Sequence, residues 1–117
     1  MMTYILDEDG EPRAIPLLEW ARWFEDGARV LARTTFTSGA SVSTVFLGVD
    51  HRSAGEGPPV LWESMLFDEA GGTDETARYS STAEAIAGHQ AMVQACVARG
   101  LVPREQFTSM FWRRRIN

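Results

Sequence analysis

The sequence predicts an α+β domain in which a three- to five-stranded antiparallel sheet packs against one long helix. A short N-terminal helix and a short C-terminal helix complete it. Three observations carry this expectation. Segments 28–37, 40–50 and 60–67 are apolar or alternating, rich in β-branched residues, and separated by turn signals. Segment 82–99 has the length and periodicity of a helix that covers a sheet. The chain of 117 residues, 44% hydrophobic and 23% charged, has the size and composition of one globular domain spanning 1–117.

Each element has a local reason. Segments 3–6 and 13–15 flank DEDGEP, where Asp9-Gly10 signals a tight turn, so a small hairpin is expected. Pro16 suits the first turn of a helix over 17–25. In that helix Leu17, Trp20, Ala21 and Phe24 fall on one side, Trp23 flanks them, and Gly27 ends it. In 28–37, Val30, Ala32, Thr34 and Phe36 alternate with Arg29, Leu31, Arg33 and Thr35. Ser38-Gly39 turns the chain into 40–50, and HRSAGEGPP leads to 60–67. Residues 68–76 read as a loose Gly/Asp loop. Ser81-Thr82-Ala83-Glu84 is a capping box that starts the long helix, which Gly100 stops. Val102-Pro103 opens the expected last helix, with Phe107, Met110 and Phe111 on one face.

Composition narrows the function classes. The single cysteine, Cys96, excludes an internal disulfide framework and a cysteine-based zinc set, and it falls on the apolar helix face as a small core residue. No leader and no membrane-length apolar run is present, so a reducing cytoplasm, or the host cell's cytoplasm for a phage product, is the expected setting. Net charge of −5, from 16 acidic and 11 basic residues, disfavours nucleic acid as a partner. Every basic residue is arginine. The terminal Arg113-Arg114-Arg115 fits the negative end of a helix dipole better than a phosphate surface. Most of Trp20, Trp23, Trp62 and Trp112 should be core, although an exposed ring would suit an interface.

The candidate constellation gathers around the two histidines. With Ile86 as the origin at about 100° per residue, His89 falls near about −60°, inside the apolar arc that includes Val93, Val97 and Cys96. A buried imidazole there needs a partner, since an unsatisfied buried polar group costs about 1–3 kcal/mol. On the second strand Val45, Leu47 and Val49 share the expected core face, and His51, preceded by Asp50, continues that parity beyond its end. On the third strand Leu61, Glu63, Met65 and Phe67 share one face; the competing register buries Val60, Trp62 and Leu66 and leaves Glu63 in water. If they converge, His51, Glu63 and His89 can ligate a divalent metal or perform acid–base catalysis. Asp50 and Arg52 would join them as ligand-binding residues. The ordinary alternative makes His89 a satisfied core histidine and His51 a loop residue. No His-Glu-x-x-His, paired-Cys or Asp-rich motif is present, so no cofactor is expected beyond that divalent metal.

VSTVFLGVDHR, PPVLWESMLFD, RYSSTAEAIAGHQAMV and LLEWARWFED resemble a group of short uncharacterised proteins encoded by phages and prophages, mainly of actinobacteria. In that group the position of Ser64 is often Thr, and a Gly pair follows the strand more directly than Gly71-Gly72 does here. The resemblance implies a small accessory protein acting inside an infected bacterial cell, and assigns no chemistry.

Three readings of function follow. The preferred one is non-catalytic binding of a host or defence protein, with self-association into a homo-oligomer as a further expectation. Catalysis by His51, Glu63 and His89 is the alternative, and a third is a sponge for a small anionic, nucleotide-like ligand held by Arg29, Arg33 or Arg52.

Overall fold

The computed structural model describes residues 2–26, 29–50 and 57–108. It is α+β, as the sequence predicts. The elements are β1 (Thr3–Leu6), β2 (Pro12–Ile15), α1 (Leu17–Asp26), β3 (Val30–Phe36), β4 (Ser41–Phe46), β5 (Trp62–Phe67), β6 (Thr73–Tyr79), α2 (Thr82–Ala98) and β7 (Pro103–Thr108). β1 and β2 form a separate hairpin, and the other five strands form one antiparallel sheet in the order β6-β5-β4-β3-β7.

The first four strands of the large sheet follow one another as a meander. α2 then crosses one face of the sheet, and β7 lands beside β3 at the far edge, antiparallel to it. The expected C-terminal helix is therefore replaced, over Pro103–Thr108, by a strand. Pro103 opens that strand, a position where its missing N–H costs no ladder bond. Met110 and Phe111 lie outside the described residues. The expected loop over 68–76 is also shorter than predicted. Asp68 Oδ1 accepts the N–H groups of Ala70 and Gly72 at 2.9 and 2.8 Å, closing a tight turn with Gly71 at φ 88°. Thr73 then enters β6, an edge strand whose polar, exposed side chains leave little hydropathy signal.

Two packed clusters lie beneath α2. Leu6, Leu31, Ala32, Phe46, Leu61, Trp62 and Ala85 form one, joined by Trp23 edge-on to Phe46 at 5.8 Å. Phe36, Ala40, Val42, Leu66, Met92 and Cys96 form the other. A bulge between Val30 and Ala32 lets both Leu31 and Ala32 reach the core. In α1, Trp20 and Trp23 are half-buried, whereas Leu17 and Ala21 are exposed, so the packed side is rotated from the predicted one. Trp112 and Gly27 lie outside the described residues.

α2 begins as predicted, with one difference. Ser81 Oγ accepts the Glu84 N–H at 3.1 Å, and the Ser81 hydroxyl donates to the Glu84 carboxylate at 3.0 Å. Its packed face is Thr82, Ala85, His89, Met92 and Cys96, which puts His89 at the middle of that face and leaves Val97 exposed. Thr82 Oγ1 donates to the Gly10 carbonyl at 3.3 Å and so ties the N-terminal hairpin to the helix.

The helix passes close to β6 at Gly88, where a Cβ would overlap the Tyr79 ring. Gly88→Ala is predicted to destabilise the fold by about 1–2 kcal/mol, because overpacking outweighs a helix-propensity gain of about 1 kcal/mol. In a Tyr79→Ala background the same substitution should become neutral or stabilising. Urea denaturation of the four proteins tests this; equal effects in both backgrounds would refute the contact.

Candidate functional site

His89 is 3% exposed and sits where α2 crosses the centre of the sheet. Its Nε2 lies 3.0 Å from Thr34 Oγ1 on β3, and its Nδ1 lies 2.7 Å from Thr44 Oγ1 on β4. Thr44 Oγ1 in turn lies 2.6 Å from Ser64 Oγ on β5. Thr34, Thr44 and Ser64 are all buried. One polar chain thus links the helix to three adjacent strands. A neutral imidazole donates from one nitrogen and accepts at the other, so the two threonine hydroxyls play opposite roles toward it. Burial lowers the His89 pKa to about 4, and the ring is neutral at pH 7.

These hydroxyls settle the strand faces: they correct the face expected on β4 and decide between the two registers left open on β5. On β4, Val42, Thr44 and Phe46 are buried against α2, while Val45 is half-exposed on the other face. The predicted core face of Val45, Leu47 and Val49 is the wrong parity. On β5 the competing register holds: Trp62, Ser64 and Leu66 face the helix. Glu63 therefore lies on the opposite side of the sheet from His89. Its side chain, 12% exposed, accepts from Arg78 Nε at 2.9 Å.

The predicted His51–Glu63–His89 cluster accordingly loses its central pair, because the sheet itself separates Glu63 from His89. His51 and Arg52 lie outside the described residues. Asp50 Oδ1 accepts the Val60 N–H at 2.9 Å, a bond that holds together the two ends of the connection between β4 and β5. Among the described residues, no three of His, Cys, Asp and Glu gather as a metal-ligating group. Cys96 is fully buried and burial pushes its thiol pKa up, which suits a core residue rather than a nucleophile.

Two clefts flank the edge strand β7. One, of about 380 Å³, lies between α2 and β7 and has His89 and Thr34 in its lining. The other, of about 300 Å³, is lined by Arg29, Val30, Arg33 and Phe107. Residues of the first cleft escape the sequence-based prediction, since a helix after 102 would not place Gln106 beside Thr34.

No family model, curated protein or solved structure matches the chain. No described helix is long and apolar enough to cross a membrane.

Two predictions test the polar chain. Thr44→Val should cost about 1–3 kcal/mol, because it leaves His89 Nδ1 and Ser64 short of a partner, and Ser64→Ala should cost less because Thr44 keeps its bond to His89. Thermal and urea unfolding give the order; a costlier Ser64→Ala would contradict it. The second concerns pH. Between about pH 6.5 and 4 the unfolded chain takes up a proton at residue 89 that the folded chain refuses, so this contribution is full above pH 6.5 and is lost as pH falls. The stability advantage of wild type over His89→Gln should therefore shrink by roughly 3 kcal/mol from pH 7 to pH 4. Parallel stability curves for the two proteins would show that His89 does not titrate in this way.

Proposed function

We propose that this chain is a non-catalytic binding protein that engages a protein partner through the helix-free face of its sheet. In the phage setting that the resemblance implies, the partner is a host or defence component. The observation that carries the proposal is the one-sided cover of the sheet. α2 packs against one face, and no described helix lies across the other.

The helix-free face has the composition of an interface. Val45, Met65 and Phe67 are half-buried there, Ser43 lies between strands, and Arg33, Arg78 and Glu63 supply charge around them. An apolar centre with a polar rim is the usual anatomy of a protein contact. The residue types that would support catalysis are engaged elsewhere: His89 is hydrogen-bonded at both ring nitrogens, and Glu63 is paired with Arg78.

A second reading rests on a specific observation. Arg29 and Arg33 line one cleft with the exposed ring of Phe107, a combination suited to a small anionic ligand with an aromatic part.

The binding proposal predicts that tagged protein captures a stoichiometric partner from a bacterial host lysate. Met65→Arg should weaken that capture at least about tenfold with an unchanged circular dichroism spectrum, whereas Ala87→Arg on the exposed side of α2 should not. Capture insensitive to Met65→Arg would refute the assigned face. Light scattering on the same proteins reads self-association, and a monomeric Met65→Arg beside an oligomeric wild type would identify the partner as a second copy.

A further inference from the structure

The chain contains three glutamines, Gln90, Gln94 and Gln106, and all three line the cleft between α2 and β7. Gln90 and Gln94 stand one turn apart on the helix and so share a side. Gln106 comes from the strand, directly opposite Thr34 in the β3–β7 pairing. None of the three side-chain amides has a hydrogen-bond partner among the described residues.

The charge of this lining is as distinctive as its amides. The chain is 23% charged, yet among the described residues the cleft presents no Asp, Glu or Arg. The one titratable group among the described lining residues, His89, is neutral at pH 7. An ion entering such a site would lose hydration without gaining a countercharge, so the cleft selects against charged ligands.

A carboxamide offers a donor and an acceptor on one planar group, which matches the paired donor and acceptor edge of a nucleobase. One further wall residue suits the face of a flat ring. Val93 contributes apolar surface from α2, whereas the Phe107 ring, paired beside Arg33, belongs to the other face of the sheet. A volume of about 380 Å³ lies toward the small end of ligand pockets, as expected for one ring system with its sugar.

We infer that the α2–β7 cleft binds an uncharged planar heterocycle with an amide-like edge, namely the base of a nucleoside, through Gln90, Gln94 and Gln106 and against the apolar surface of Val93. This site is separate from the helix-free face and does not depend on it.

Titration of isotope-labelled full-length protein with adenosine, guanosine, cytidine and uridine, each to millimolar concentration, tests the assignment by NMR. The glutamine side-chain amide signals report the site directly. At least one nucleoside should shift them saturably, and its 5′-monophosphate should bind no more tightly, since the described lining holds no countercharge. Gln94→Ala with Gln106→Ala should weaken the nucleoside at least about tenfold, and because both side chains are exposed the fold should be unchanged. Absence of a saturable shift with all four nucleosides would overturn the inference, as would binding indifferent to the double substitution. A monophosphate bound more than about tenfold tighter than its nucleoside would also overturn it, and would favour the Arg29–Arg33 cleft.

Discussion

An imidazole buried at the centre of a sheet-covering helix dictates much of what surrounds it. Leaving either ring nitrogen without a partner would cost a substantial fraction of a small domain's net stability. The sheet answers with hydroxyls on three adjacent strands, Thr34, Thr44 and Ser64. Those hydroxyls fix which side of each strand faces α2, because a slip by one residue would turn them outward and leave His89 stranded. They also set the lateral position of the helix, whose packed face is centred on His89 with Ala85 and Met92 to either side. Apolar packing alone tolerates sliding; a directional chain of short hydrogen bonds does not.

The same arrangement explains what was legible in the sequence. Elements defined by local chemistry were readable: the Ser81 cap, the turn around Gly10, and the β3–β4 hairpin at Gly39. His89 was readable as a buried residue requiring a partner. The identity of that partner was not, since Thr and Ser on a strand look like its solvent side. Thr44 between Val42 and Phe46, and Ser64 between Trp62 and Leu66, are core positions occupied by polar residues. Any hydropathy count on β4 is thereby pushed toward the wrong parity, with Val45 and Leu47 mistaken for core. Glu63 entered the predicted site only through the register of β5 that turns Leu61, Met65 and Phe67 inward, and Ser64 between Trp62 and Leu66 hides the other.

The C-terminal segment failed for a different reason. PREQFT carries neither apolar alternation nor a helical stripe strong enough to decide its form, and its side chains are exposed almost throughout. What makes it a strand is the unpaired edge of β3, and that edge exists only once the sheet has formed. Tertiary context overrides local preference at such a site. The three glutamines illustrate the consequence. Two lie on α2 and one on β7, and nothing in their spacing along the chain announces that they meet.

The placement of β7 also bears on the order of assembly during synthesis. β3 pairs with β4 across a short turn, but its other neighbour emerges about 70 residues later. A nascent chain that has already formed the β3–β6 meander therefore presents an open backbone edge, flanked by apolar Leu31 and Phe36, while translation continues. α2 can dock on the meander before that edge is closed. The interval between helix docking and strand addition is the stage at which the polypeptide is most exposed to edge-to-edge association with another copy, so chaperone demand and inclusion-body formation should track the fate of its last strand more closely than that of its core.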